Sequence, residues 1–381
     1  MRSLEDANRR EFYRRALARL SEEERERERS RAIPFAVSLS ALSSLFFEVG
    51  RRQGWIEGAI NRTDVQTPPD QPNPKGAIVL AVSGGSDSMA LLWLFRTFCE
   101  RRLIVAHLEH GMRGETSLED ARYVERMAAG WGIGSVVLHV DVPGSLRQGE
   151  SLESGGRRIR HAFLESVAEK HGAFGVALAH NREDVAETVL FNLLRGTGVR
   201  GAVGIPERRG VFFRPLLACS REFLRSILRH RGIEWREDCT NKDSRFTRNF
   251  IRNELMPLMV DRVNGRAVDH LVAFGEEMRY YREEEERRAA ALTDSSTPSG
   301  PEDAPDSWAI DRDRARALSP FERTLIIRES GRRRGLSTLS RRRAMELARL
   351  MEGTEEFEFQ WGGGVSVRGD RNRVIWKKTE N

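Results

Sequence analysis

Several features that often identify a protein are scarce or missing in this 381-residue chain. It contains three cysteines, Cys99, Cys219 and Cys239, and no Cys-x-x-Cys pair. Three widely spaced cysteines argue against a zinc ribbon, an iron–sulfur cluster and a disulfide framework. No Gly-Lys dipeptide occurs, so the chain has no Walker A phosphate loop. We find neither a signal-peptide pattern nor an apolar run long enough for a membrane span, so we expect a cytoplasmic protein with no membrane partner.

Lysine is also scarce, because only five of the 63 basic residues are Lys and the other 58 are Arg. With 57 acidic residues, the formal net charge is +6, which is a modest excess. Arginine is the better side chain for bidentate phosphate contacts and for stacking on bases. The composition therefore permits a nucleic-acid partner without requiring one.

The most informative stretch is a strand, a glycine turn and a helix between Ile78 and Leu92. The apolar, β-branched run at its start predicts a buried parallel strand. Backbone N–H groups at a glycine turn before a helix bind anions, and the helix dipole favours negative charge there. A carboxylate, Asp87, stands among these donors, and magnesium would make it compatible with phosphates. The phosphate-binding residues that we expect are Ser83, Gly84, Gly85, Ser86, Asp87 and Ser88.

This Ser-Gly-Gly-Ser-Asp-Ser string closely resembles the signature of the PP-loop ATP pyrophosphatase superfamily. The resemblance implies cleavage of ATP between the α- and β-phosphates and transfer of AMP to an oxygen of the substrate. The alternative is an ordinary strand–turn–helix in which Asp87 only caps the helix.

Strand and helix patterns alternate along the next hundred residues, which predicts an α/β fold with a doubly wound, mostly parallel sheet. Strands are predicted at 77–83, 103–108, 135–140 and 174–179, and helices at 87–99, 118–132, 151–171 and 183–195. A helical middle region and a small α+β module are expected to follow. The division that we predict is a charged extension (1–36), a PP-loop domain (37–243), a helical region (244–292), a linker (293–306) and a C-terminal α+β module (307–381).

Polar residues follow the predicted strands, and ligands bind at the carboxyl ends of strands in such sheets. Asp184 and Glu187 are three residues apart, so they share one helix face. Together with Asp87 they suit magnesium, a cationic amine, or both. His107 and His110 form a His-x-x-His pair without a third ligand, which favours loop or substrate positioning over a metal.

Two arginine groups suit RNA, although each has a simpler interpretation. The glycine-rich loop with Arg195 and Arg200 fits a nucleic-acid phosphate, a hinge or a helix stop. A second group recurs at helical spacing with aromatic residues between its members, which fits either RNA or a solvated helix face. Its members are Arg245, Arg248 and Arg252, with Phe246 and Phe250 between them.

In this order, the motifs resemble those of the tRNA(Ile)-lysidine synthetase family over about residues 76–260. The most specific part is Asp238-x-Thr-Asn241 followed by Arg-x-x-Arg-Asn. The other matching pieces are Ser83–Ser88, His107–Gly114, Glu153–Arg160, His180–Thr188, Leu194–Gly201 and Arg214–Leu217.

The resemblance implies a reaction and a set of partners, with tRNA binding expected in the helical region 244–292 and substrate binding in the C-terminal module 307–381. ATP, with Mg²⁺, would activate C2 of the wobble cytidine of a CAU-anticodon tRNA(Ile), and L-lysine would displace AMP to give lysidine. Asp87, Asp184 and Glu187 would be catalytic, with Asp87 on magnesium, and Ser83–Ser88 would hold ATP. A homodimer stays open. Residues expected to contact the nucleotide or the tRNA are His110, Arg113, Arg157, Arg160, Arg195, Arg200, Arg245, Arg248 and Arg252.

The chain departs from the family pattern at a few positions. Glu183 and Val185 replace an aspartate and a glutamine, Asn181 replaces a second histidine, and His161 replaces a tyrosine. Other functions are a tRNA 2-thiolase, which needs reactive cysteines, a small-molecule PP-loop ligase, and a tRNA-binding protein without activity. The ligase would leave the arginine stripe unexplained, and the binding protein would leave Asp87 and the Asp184 pair unexplained.

Overall fold

A computed structural model of the chain describes residues 20, 22, 39–55, 76–111, 115–237, 246–294 and 308–378. It divides into two compact units, of which the first ends at Gly275 and the second begins at Glu276. The five-part division expected from composition stays a prediction. No helix among these described ranges is long and apolar enough to cross a membrane.

The first unit is an α/β layer structure, followed by a helical segment. Its strands are β1 (Ile78–Ala81), β2 (Leu103–Glu109), β3 (Gly134–His139), β4 (Gly175–Ala177), β5 (Arg208–Arg209) and β6 (Phe212–Phe213). Its helices are α1 (Leu39–Gln53), α2 (Ser86–Phe98), α3 (Glu115–Gly130), α4 (Leu152–Lys170), α5 (Arg182–Leu194), α6 (Val199–Ala202), α7 (Arg221–Arg231), α8 (Thr247–Phe250), α9 (Met256–Arg262) and the start of α10 (Ala267–Asp294). A 3-10 turn spans Pro143–Ser145, and a π-helical turn, Ile251–Leu255, joins α8 to α9.

The sheet runs in the order β3-β2-β1-β4-β6-β5, and all its pairs are parallel except β5 with β6. The predicted doubly wound sheet is thus confirmed. The four predicted strands and four helices lie within a few residues of the observed ones. Periodicity could not find β5 and β6, which are two residues long.

The apolar residues of β1 alternate between two cores. Ile78 and Leu80 pack with α2, α1 and α7 on one face of the sheet, while Val79 packs with α4 on the other. Strand side chains alternate between faces, so a continuous apolar run is what a strand covered on both sides requires. The crossover helices therefore change faces between β1 and β4. At such a switch point the loops after two neighbouring strands open a crevice.

The helical segment after residue 246 packs on α5. Ala186 and Leu190 of α5 form a buried cluster with Ile251 and Met256, and Leu271 of α10 packs against it. This packing carries the segment to the same sheet edge as the loops after β1 and β4.

The second unit is a four-stranded antiparallel sheet with helices. The order is β7-β10-β9-β8, and Trp376, Val367 and Ile326 lie in its core. The predicted α+β character is confirmed, and the first element described within residues 307–381 is a strand, β7 (Trp308–Asp311). Its elements are β7 (Trp308–Asp311), β8 (Phe357–Gln360), β9 (Val365–Gly369), β10 (Arg373–Lys378), α11 (Arg312–Ala317), α12 (Pro320–Arg333) and α13 (Arg341–Glu352).

Candidate active site

The glycine turn after β1 is stabilised by hydrogen bonds between its own serine side chain and main chain. Gly84 has φ +89°, a conformation that L side chains rarely adopt, so glycine is required at this position. The Ser83 amide donates to Ser88 Oγ at 3.2 Å, and that hydroxyl donates to the Gly85 carbonyl at 2.9 Å. No side chain caps the start of α2 at Gly85. The turn therefore presents N–H groups at a helix start, which is an anion-binding arrangement.

Asp87 lies in the first turn of α2 with its side chain one-quarter exposed. Its Oδ2 accepts a hydrogen bond from Asn181 Nδ2 at 2.9 Å and lies 3.7 Å from Arg221 Nε. Its Oδ1 is buried and has no hydrogen-bond partner among the described residues. Burial raises the pKa of Asp87 to about 6, and Arg221 opposes this shift while Asp184 adds to it.

Asn181 joins the PP-loop to the next carboxylates. It is fully buried and caps α5 through a reciprocal pair of bonds with Asp184. The Asn181 side-chain Oδ1 accepts a hydrogen bond from the main-chain N–H of Asp184 at 2.9 Å. The main-chain N–H of Asn181 donates in return to Asp184 Oδ2 at 3.0 Å. The remaining Nδ2 group reaches Asp87. Asparagine can fill both roles because its side chain carries one acceptor and two donors.

Asp184 and Glu187 share one guanidinium. Arg252 Nη2 donates to Asp184 Oδ1 at 2.5 Å and to Glu187 Oε2 at 2.8 Å, while its Nε donates to Glu187 Oε1 at 2.8 Å. Glu187 is only 2% exposed, so this is a buried ion pair. Although burial opposes the charge, the Glu187 hydrogen bonds and the charges of Asp184 and Asp87 raise the pKa of Arg252 above its ordinary value.

A second arginine links all three carboxylates. Arg221, the first residue of α7, lies 3.5 Å from Glu187, 3.6 Å from Asp184 and 3.7 Å from Asp87. Sequence reasoning missed Arg221, because it follows a helix-capping serine and belongs to no motif. Sequence reasoning also missed the link through Asn181, which it noted only as a departure from the family pattern.

The predicted arginine stripe faces these carboxylates. Arg252 lies in the π-helical turn, and Arg248 Nε of α8 is 3.9 Å from Glu187 Oε2. π-Helical turns are frequent at functional sites, because they re-aim side chains within a helix. The expected spacing on one face is present for these two residues, while Arg245 lies outside the described residues.

The histidines have separate roles. His107 Nδ1 lies 2.8 Å from the Val82 carbonyl, and burial lowers the pKa of His107. Arg160 Nη2 lies 3.1 Å from His110 Nε2, so two predicted contacts, one directly after β2 and one on α4, come together. Burial likewise lowers the pKa of His180. Arg113 lies outside the described residues.

The other predicted RNA contacts are spread over the first unit. Arg157 is exposed on α4. Burial, together with the nearby charge of Arg157, lowers the pKa of Arg214 to about 10. Arg195 ends α5 with its guanidinium 5.1 Å from the Phe191 ring centroid. Arg200 lies on the four-residue helix α6.

The residues fit a magnesium ion at Asp87 and nowhere else in this group. The buried, unpartnered Asp87 Oδ1 suits Mg²⁺, which often takes one carboxylate together with phosphate oxygens. Asp184 and Glu187 are already occupied by arginines. Within the described part of the chain, no cluster of three or more His, Cys, Asp or Glu side chains is arranged to hold a metal ion.

Comparison with known proteins places residues 60–259 in a family described as the PP-loop domain. The chain is 46% identical to a Thermus thermophilus tRNA(Ile)-lysidine synthase over 190 residues, which are 50% of this chain and 37% of that protein. It is 41% identical to the Thermotoga sp. enzyme of the same name, over 48% of this chain and 45% of that protein. The Chlorobaculum tepidum tRNA(Ile)-lysidine synthase is 33% identical over 76% of this chain and 88% of its own length. The match thus spans less than half the length of the first two relatives.

Proposed function

Because the chain belongs to the tRNA(Ile)-lysidine synthase family, we propose that it joins L-lysine to the wobble cytidine of a CAU-anticodon tRNA(Ile). ATP would adenylate the oxygen on C2 and release pyrophosphate. The lysine amine would then attack C2 and expel AMP, leaving lysidine. A urea-like carbonyl is a poor electrophile, so adenylation is needed to supply a leaving group. We place this reaction in the cytoplasm.

One observation carries the proposal: the glycine turn and the carboxylates Asp184 and Glu187 form a single hydrogen-bonded network. Asp87 of the loop accepts from Asn181, which is bonded in both directions to Asp184. Arg252 then joins Asp184 to Glu187. An enzyme that activates a carbonyl with ATP and attacks it with an amine needs both functions side by side.

The ATP half of the reaction falls to the glycine turn. The N–H groups after Ser83 would bind the phosphates, with the serine hydroxyls as further donors. Asp87 would hold magnesium through its buried Oδ1. When bound, the ion would neutralise charge on the departing pyrophosphate. Asn181 keeps the carboxylate oriented by holding Oδ2.

The lysine half falls to Asp184 and Glu187. The pair accepts N–H donors from the cation Arg252 at 2.5–2.8 Å, so it suits a nitrogen cation, and a lysine ammonium group bound there would share or replace the contacts of Arg252. Lysine must bind as a cation and attack as a free amine, so one of these carboxylates would take the proton. Arg157, Arg195, Arg200 and Arg248 lie on the first unit as candidate phosphate contacts.

The alternatives explain fewer of these observations. A thiolase would need a reactive thiol, but the two cysteines in the described part of the chain, Cys99 and Cys219, are buried, and burial raises the pKa of Cys219 to about 12. A tRNA-binding protein without activity would have no use for the open glycine turn or for the unpartnered oxygen of Asp87.

The test is tRNA-stimulated splitting of ATP to AMP and pyrophosphate. We expect Asp87→Ala to abolish AMP formation while tRNA binding persists. Asp261→Ala, which removes a carboxylate that is 73% exposed, serves as the matched control and should behave as wild type. AMP release by Asp87→Ala at the wild-type rate would contradict the metal role. Splitting of ATP to ADP by the unaltered chain would contradict the proposed reaction class.

A further inference from the structure

The glycine turn contains no cationic side chain. Ser83–Ser88 offers N–H groups, hydroxyls and the carboxylate of Asp87, yet ATP brings three phosphates and leaves as a highly charged pyrophosphate. In the Walker A loop, a lysine within the loop meets this charge. A PP-loop site therefore needs an arginine or lysine from another part of the chain.

Arg236 is joined to the glycine turn through its main chain. Its N–H donates to the Gly84 carbonyl at 2.9 Å. A β-carbon placed on Gly84 would lie 3.8 Å from Arg236 Cγ, and one placed on Gly85 would lie 3.9 Å from the Arg236 carbonyl oxygen. The main chain of Arg236 and the base of its side chain therefore lie beside the two glycines.

The guanidinium of Arg236 contacts two side chains of α3, Tyr123 and Asp120. It lies 5.3 Å from the ring centroid of Tyr123, a cation–π contact. The Tyr123 hydroxyl donates to the Glu234 carbonyl at 2.5 Å, and this bond joins the residues before Arg236 to α3. Asp120 Oδ1 is 3.9 Å from Arg236 Nε, which is the limit of an ion pair.

Arg236 is available for a ligand, whereas the other arginines near the turn are engaged. Its side chain is 43% exposed, and within the described residues its one ion pair is the long contact with Asp120. Arg221 and Arg252 are held in ion pairs among Asp87, Asp184 and Glu187.

We propose that the guanidinium of Arg236 binds the β- and γ-phosphates of ATP and the pyrophosphate that leaves. Tyr123 and Asp120 act as positioning residues, because they hold the guanidinium beside the turn without neutralising it through a short bond. The inference rests on the proposed function in one respect, namely that ATP is bound at this turn and split to pyrophosphate.

The test compares ligands that carry or lack the outer phosphates. Calorimetric binding of ATP, inorganic pyrophosphate and AMP, each with magnesium and without tRNA or lysine, is measured for the wild type and Arg236→Gln. Arg236→Gln keeps the main-chain N–H that donates to the Gly84 carbonyl, so it removes the guanidinium without removing that bond. Arg122→Gln, at an exposed arginine of the same helix as Tyr123, makes the same change of charge and is the control.

We expect Arg236→Gln to weaken ATP and pyrophosphate binding at least about tenfold, the usual effect of losing a hydrogen bond to a charged group. AMP binding should be unchanged, and Arg122→Gln should match the wild type for all three ligands. Tyr123→Phe should weaken ATP and pyrophosphate binding to a smaller extent and leave AMP binding unchanged.

Equal ATP and pyrophosphate affinities in Arg236→Gln and wild type would overturn the inference, as would an equal loss for AMP. If circular dichroism shows that Arg236→Gln does not fold, Tyr123→Phe decides the question by the same comparison. No tRNA or lysine is present, so a failure to make lysidine would leave this result standing. A wild-type protein that binds neither ATP nor pyrophosphate would overturn both proposals.

Discussion

Replacing Arg252 by alanine should lower the free energy of unfolding, because Arg252 stabilises the Asp184 and Glu187 carboxylates. The change removes the one guanidinium that donates to both Asp184 and Glu187, with contacts of 2.5, 2.8 and 2.8 Å. It leaves Glu187, which is 2% exposed, beside Asp184 without its main counter-charge. Arg221 is 3.5 Å from Glu187, so it would compensate only in part.

The expected loss is about 3 kcal/mol of unfolding free energy at neutral pH. Breaking a buried ion pair by removing one partner costs about 3–5 kcal/mol, because a charge is left buried and uncompensated. The lower end applies here, since the Arg252 side chain is 25% exposed. Arg248→Ala is the matched control, because Arg248 lies 3.9 Å from Glu187 with its side chain 35% exposed. Such partly exposed pairs are worth about 1 kcal/mol or less.

The assay is hydrogen exchange of α5 amides, followed by peptide mass spectrometry under native conditions. A local probe is needed because the chain has two compact units, whose unfolding need not be a single transition. The double variant Arg252→Met/Glu187→Met should regain part of the lost stability, because Glu187 no longer leaves a buried charge without its pair, while Asp184 keeps only the 3.6 Å contact with Arg221.

Equal losses for Arg252→Ala and Arg248→Ala would refute this reasoning. A stability loss of the double variant that equalled the sum of the losses of Arg252→Met and Glu187→Met would also refute the reasoning. Such additivity would mean that Arg252 and Glu187 do not interact.

Three further predictions concern single side chains. Burial raises the pKa of Asp87 from 3.8 to about 6, so wild type should lose stability relative to Asp87→Asn as pH rises from about 4 to 6. The difference in unfolding free energy between the two proteins should change by about 3 kcal/mol across this range in urea unfolding, and a pH-independent difference would contradict the burial of Asp87. Asn181→Ala should lower the free energy of unfolding by about 2 kcal/mol, because it removes both the helix cap and the donor to Asp87. A decrease of less than about 0.5 kcal/mol, as for an exposed substitution, would argue against that network. Arg195→Ala should lower the slope of log affinity for tRNA against log salt by about one, and an unchanged slope would show that Arg195 touches no phosphate.

Much of the fold follows from local patterns. The alternation of apolar runs and amphipathic segments predicts the parallel sheet, because each strand between helices must be buried on both faces. The convergence of Asp87 with Asp184 and Glu187 also follows, since both loops end neighbouring strands, β1 and β4. Strand β7 escaped prediction, because four residues before an arginine-rich helix are too few to show a period.

The electrostatics of the site do not follow from local patterns. Helical spacing places Arg248 and Arg252 on one face, but only the packing of Ile251 and Met256 on α5 decides what that face meets. Arg221 joins the site because α7 begins at the same sheet edge, a relation between residues distant in sequence. The Asn181 bridge likewise depends on the distance between two helix starts.

The central claim is that this chain makes lysidine at the site where Asp87 meets Asp184 and Glu187. The most direct measurement is transfer of radiolabelled lysine to an unmodified CAU-anticodon tRNA(Ile) transcript, with ATP and magnesium. The account predicts ATP-dependent label that disappears when the wobble cytidine is changed or when Asp87→Ala replaces the wild type. Label that persists without ATP, or no label while ATP is still split to AMP and pyrophosphate, would contradict it. The second result would mean that the site uses another nucleophile or another RNA.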